Sequence, residues 1–248
     1  MKKLLFLLLI PAVCFHLHAQ NTPEDAANAY AGKEYSKAAE IYEQLLKTNG
    51  ESAEIYYNIG NCYAKLNKTA SAILNYERAL LLAPGDPDIR YNLEYTYSKT
   101  VDKIESVGDF FLVDWWHAFQ NLLTTNQWSR FAITCFLLFI GCLFLFFFSR
   151  KIFLKKSGAY FGMGLLALII VANSFAYNQK KKLTHRNSAI VFAATVTIKS
   201  SPDNSGTDLF VLHEGTKVII KSKLGNWNEI EIADGNVGWI KSEDIVVI

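Results

Sequence analysis

The chain is predicted to be a multi-domain membrane protein: an α-helical repeat solenoid, two transmembrane helices and a small all-β barrel, in that order. Three observations carry this expectation. Two uncharged apolar runs lie close together past the middle of the 248 residues. A self-similarity at a shift of 34 residues precedes them. Short β-rich runs separated by turn residues follow them.

Residues 1–19 open with Lys2 and Lys3, continue as LLFLLLIPAV and end on Leu17-His18-Ala19. A basic start, a short apolar stretch and a small exit residue form a secretory signal peptide, cleaved before Gln20. Lipid attachment at Cys14 needs a small residue before it, and Val13 stands there.

The segment 20–107 contains the repeat. AAEIYEQLL (38–46) lies over AILNYERAL (72–80), so that Ala38 meets Ala72, Tyr42 meets Tyr76, Glu43 meets Glu77 and Leu46 meets Leu80. AEIYYNIGNCYAK (53–65) lies over PDIRYNLEYTYSK (87–99) at the same shift. This pattern resembles the tetratricopeptide repeat (TPR). In the complete unit, 53–86, Tyr56, Ile59, Gly60, Tyr63, Ala72, Tyr76, Ala79 and Pro84 occupy the eight signature positions. Gly60 and Ala72 are small where two antiparallel helices cross, and Pro84 ends the second helix. The first unit is expected to have a poor first helix because of Pro23. The third is expected to keep only its first helix, giving about two and a half repeats that need docking on the membrane or on a partner. The resemblance implies a concave face that grips extended peptides. Here it would show Tyr57, Asn58, Asn61, Tyr91, Asn92 and Tyr95. Amides can hold a peptide backbone at both its donor and its acceptor, and tyrosine adds contact area with a polar tip.

Residues 108–130 are aromatic-rich, and Trp115, Trp116 and Trp128 suit a membrane interface. Residues 131–149 and 157–177 are each long enough to cross a hydrocarbon core of about 30 Å as a helix. The loop 150–156 is basic, as is the linker 178–186. One crossing separates them, so both cannot be cytoplasmic. The signal sends the repeats outward, which makes 150–156 the inner loop. The expected location is a bacterial inner membrane, with two crossings and both soluble domains in the periplasm.

Residues 187–248 carry the runs AIVFA, TVTIK, DLFVLH, TKVIIKS, WNEIEI, GWIKS and IVVI, with turns at Glu214-Gly215, Gly225-Asn226 and Asp234-Gly235-Asn236. Seven short strands predict a small barrel. The order LHEGTKV, GNWNEIEI, DGNVGWI is similar to a bacterial SH3-type domain, with Gly235, Gly238 and Trp239 at its closing turn and Trp227 opening the preceding strand. Such a domain takes peptides, wall fragments or partner proteins.

Charge separates the parts. Residues 20–107 hold thirteen acids against nine bases, and 187–248 hold eight against five. Acidic soluble domains exclude the basic footprint of nucleic-acid binding. His117, His185 and His213 lie far apart in sequence, and no nucleophile elbow, phosphate loop or metal spacing occurs. Catalytic residues, metal ligands and cofactors are therefore none, and the chain is expected not to be an enzyme. Glu40, Glu43 and Glu77 are expected on solvated helix faces. Cys62, Cys135 and Cys142 are expected to be small apolar fillers.

The whole order resembles the BatE type of the Bacteroides aerotolerance (Bat) group. The resemblance implies a scaffold in an inner-membrane assembly, with von Willebrand A-type proteins as partners and a role in aerotolerance or envelope stress. The alternative is a peptidoglycan receptor acting through the SH3-like domain.

Overall fold

The computed structural model describes residues 21–104 and 111–248. The expected signal peptide at 1–19 and the join at 105–110 lie outside these.

Five helices form the first part: α1 (Pro23–Ala31), α2 (Tyr35–Asn49), α3 (Ala53–Lys65), α4 (Thr69–Leu82) and α5 (Pro87–Tyr97). Pro23 does not spoil α1. It occupies the first turn, where its missing N–H costs nothing. Thr22 caps the helix, its hydroxyl accepting from the Asp25 N–H while its own N–H donates to the Asp25 carboxylate at 2.8 Å. Gly60 is needed where α3 crosses α4, because a Cβ there would meet the Tyr76 ring at 2.6 Å. Asp86 caps α5 through the N–H groups of Asp88 and Ile89.

A helical hairpin follows. Helix α6 (Phe111–Gln120) leads into α7 (Thr125–Phe148) and α8 (Ile152–Thr184). Helix α7 therefore begins six residues before the expected crossing, behind a Thr124/Gln127 capping box. Most of the expected loop 150–156 and linker 178–186 is helical, leaving only a short turn at 149–151 between the helices. At 1.5 Å per residue the two helices are about 36 and 50 Å long. Their most apolar windows have mean hydropathies of 2.8 and 1.8, with only 11% and 22% buried. A core helix of a soluble domain would be mostly buried; these are apolar on the outside, and both are long enough to cross a membrane. Small residues let the pair approach. A Cβ on Gly158 would meet the Cys142 carbonyl at 2.7 Å, and Gly162 faces Cys142 and Phe139.

Trp128 is covered by protein. It is buried against Phe175, ring centroids 4.9 Å apart, and its indole N–H donates to the Gln120 carbonyl at 2.9 Å. Gln179 of α8 donates to the carbonyls of Gln120 and Leu123, both at 2.9 Å, and so ties off the end of α6. Trp115 is exposed, while Trp116 packs edge-on to Phe175 at 4.7 Å.

The third part has all seven expected strands: β1 (Ser188–Val191), β2 (Thr195–Lys199), β3 (Asp208–His213), β4 (Lys217–Leu224), β5 (Trp227–Glu231), β6 (Val237–Lys241) and β7 (Ile245–Val247). They form one antiparallel sheet in the order β3-β2-β6-β5-β4-β1-β7. The expected closed barrel is thus an open sheet whose edges are β3 and β7. Leu212 and Ile245 nevertheless share one core with Ile198, Ile230 and Ile240, so the sheet curls over itself. The repeats cover the β7 end. Arg78 donates to the Val247 carbonyl at 2.7 Å, and Ile248 enters the repeat core.

Candidate functional site

Two surfaces of the repeat domain could meet another protein. One is already filled from within the chain. Ile190 and Ile248 of the sheet pack into the cluster of Ile73, Tyr76, Ile89 and Leu93. The third repeat has no second helix among the described residues, and the sheet supplies apolar cover in its stead. The docking expected for so short a solenoid is therefore intramolecular.

Polar contacts fix this seat. Glu77 is buried, not solvated as expected. It accepts from the Tyr97 hydroxyl at 2.8 Å and pairs with Lys217 of β4 at 2.7 Å. Asp102 receives the His213 N–H at 2.8 Å, meets its imidazole Nδ1 at 2.7 Å and accepts from the Thr216 hydroxyl. Burial pulls the Asp102 carboxyl upward, but the bonds from Thr216 and His213 outweigh it and leave it below the usual carboxylate range. Thr216 donates to the carboxylate rather than to the imidazole, so the trio is a clasp and not a nucleophile relay. Arg186 pairs bidentately with Glu51, whose carboxyl it holds low. Gly215 lets the sheet approach. Its φ is +88°, and a Cβ there would meet Thr100 at 2.8 Å and Ile73 at 3.1 Å.

The other surface is the concave face, and the six predicted residues divide there. Asn92 does not face a ligand. Its amide donates to the Tyr57 hydroxyl and to Asn61 Oδ1, both at 3.0 Å, pinning α5 to α3. Asn61 Oδ1 also accepts from Tyr76 at 2.7 Å, leaving its NH2 to donate outward. Tyr57 packs beside Tyr76, ring centroids 6.0 Å apart. These three are thus engaged in holding the helices. Asn58 makes no hydrogen bond among the described residues. With Asn61, Tyr30, Ala27 and Ile55 it lines a groove of about 430 Å3 between α1 and α3. Tyr91 and Tyr95 stand free on α5, 69% and 56% exposed. Lys99 lies 4.3 Å from the Tyr95 ring centroid. Tyr30 was not among the predicted residues; its distance in sequence from α3 hid it.

Trp227 and Trp239 lie on the outer face of the sheet, where Trp227 pairs with Lys241 and Glu229 with Trp239. They sit diagonally across the β5–β6 pair. Trp227 borders a half-open hollow with Asn226, Lys241 and Glu243. Cys62 is fully buried, and burial pushes its thiol up to about 11, which suits packing and not redox chemistry.

Residues 53–86 match the tetratricopeptide repeat family model. Over 69 residues the chain is 29% identical to the general transcriptional corepressor trfA of Dictyostelium discoideum. That stretch is 27% of this chain and 5% of the corepressor, so the chain spans a small part of that relative's length. The repeat supports a role in protein–protein interaction.

Proposed function

We propose that this chain is a non-enzymatic, membrane-anchored scaffold that holds an extended segment of a partner protein in its repeat groove. The observation that carries the reading is the division of the concave face. Asn92, Tyr57 and one side of Asn61 hold the helices, while Asn58, Tyr91 and Tyr95 are left free along the same face. Exposed tyrosines on α5 and an unpaired amide on α3, the first helices of successive repeats, suit an extended peptide, which offers backbone groups to the amide and side chains to the rings.

In the finer form of this proposal, α7 and α8 cross a bacterial inner membrane. Both soluble parts then stand on the periplasmic side, and the turn at 149–151 stands on the cytoplasmic side. Their packing against each other at one end of the hairpin supports placing them on one side. The sheet serves as an SH3-type module, and the assembly is of the Bat type, with von Willebrand A-type membrane proteins as partners. Purification in mild detergent from the native membrane tests this. Stoichiometric von Willebrand A-type proteins are expected. A chain that comes out alone would count against the Bat assembly.

A second reading rests on the hollow beside Trp227, where an aromatic face and polar side chains meet as in a receptor for wall fragments. Binding of peptidoglycan fragments that is lost in Trp227→Ala and kept in Tyr91→Ala would favour it.

A further inference from the structure

Where the repeats, the sheet and the end of α8 converge, they border a half-open cavity of about 370 Å3. It falls within the range of small-ligand sites. Its lining carries four cationic side chains, Arg90, Lys182, Arg186 and Lys217, against a single acid, Glu77. Two of the cations are committed: Arg186 to Glu51 and Lys217 to Glu77. The other two are not. Arg90 bonds only the Pro84 carbonyl among the described residues, and Lys182 has no partner among them. The lining is therefore short of negative charge, with two exposed cations on different elements.

The position says what could supply that charge. Lys182 stands on the last turns of α8, and Gln179, one turn before it, also lines the cavity. Gln179 in turn fastens the end of α6, whose exposed face carries Phe111, Leu112 and Trp115. The apolar surface of the hairpin thus ends at the mouth of a cationic cavity. A phosphate flanked by an apolar tail fits both features at once. We propose that this cavity receives the phosphate of an anionic phospholipid headgroup, bridging α8 to the repeat domain through Lys182 and Arg90. The inference rests on the membrane-anchored reading above. Arginine and lysine bind phosphate with charge-assisted hydrogen bonds, and each basic residue near an anionic lipid surface strengthens binding about fivefold.

The full-length chain, purified in mild detergent, is titrated with phosphatidylglycerol, with phosphatidylcholine and with soluble glycerol phosphate, and bound lipid is read by native mass spectrometry. Retention of phosphatidylglycerol over phosphatidylcholine is expected. It should fall about twenty-five-fold in Lys182→Gln/Arg90→Gln and survive in Lys182→Arg/Arg90→Lys. Lys180 and Lys181 are exposed on the same helix outside the lining, and Lys180→Gln/Lys181→Gln should leave retention unchanged. Equal loss in that control would overturn the cavity as the site. Equal retention of the two lipids, or binding of glycerol phosphate as tight as that of phosphatidylglycerol, would overturn the lipid. A chain recovered from cells without detergent in the soluble fraction would instead sink the membrane anchor itself.

Discussion

The Tyr97 hydroxyl donates to the Glu77 carboxylate at 2.8 Å, and one repeat earlier Tyr63 makes the same bond to Glu43 at 2.6 Å. The repeat is thus visible as a recurring hydrogen bond between the first helix of one unit and the second helix of the unit before. The two copies differ in surroundings. Among the described residues Glu43 has no hydrogen-bond partner beyond its own domain, whereas Glu77 is covered by the sheet and also pairs with Lys217.

That difference sets a first expectation. Glu77→Ala strands the Tyr97 hydroxyl, which burial and the carboxylate together hold far above its ordinary pKa. A buried polar group left unpaired costs about 1–3 kcal/mol. Lys217 is partly exposed and adds little when freed. Glu43→Ala should cost less. Denaturant unfolding of both variants checks the order, and equal losses would contradict the seat described for Glu77.

Gly215→Ala should loosen the sheet from the repeats. The left-handed backbone costs a non-glycine residue about 1–2 kcal/mol, and the added methyl meets Thr100 and Ile73. Adding Thr100→Ser should recover part of the loss, because it removes the nearest contact but not the backbone strain. Hydrogen exchange at β1 and α4 reads the effect. Unchanged protection would show that the contact does not hold the parts together.

Acid should undo the same seat. Asp102 and Glu51 both ionise more readily in the folded chain than the ordinary carboxylate value of about 4. A depressed folded pKa gives stability that is fully present above the unfolded pKa and lost as pH falls through the folded one. Docking should therefore be steady near neutrality and weaken below about pH 4. Asp102→Asn should be weaker at pH 7 and less sensitive to acid. An unchanged acid profile in that variant would place the titration elsewhere.

Groove and scaffold separate by substitution. Tyr91→Ala and Tyr95→Ala remove exposed rings and should change stability by no more than about 0.5 kcal/mol. Asn92→Ala breaks bonds to Tyr57 and Asn61 and should cost about 1–2 kcal/mol. Thermal unfolding distinguishes them.

Much of this architecture was legible from spacing alone. The repeat signature marked Gly60 and Ala72 as the small residues at the helix crossing, and a strand formed at each of the seven runs that alternation and turns marked out. What escaped depended on contacts distant in sequence. Glu77 reads as a surface residue on its helix and is buried only because β4 crosses over it. Trp128 reads as interfacial and is buried because α6 folds back on α8. Asn58 and Asn92 occupy equivalent positions, yet among the described residues only Asn92 makes hydrogen bonds to the helix before it. The seat of the repeats on the β7 end of the sheet is likewise a contact between segments some 170 residues apart.

The most direct test of the central claim is site-specific photocrosslinking in the native membrane, with the reactive side chain placed at Tyr95, at Asn58 or, on the outer sheet, at Lys223. The account expects one and the same protein to be captured from Tyr95 and Asn58, not from Lys223, and to be lost when Tyr91→Ala is added. Capture from Lys223 alone, or capture at Tyr95 that ignores Tyr91→Ala, would contradict the groove as the site of binding.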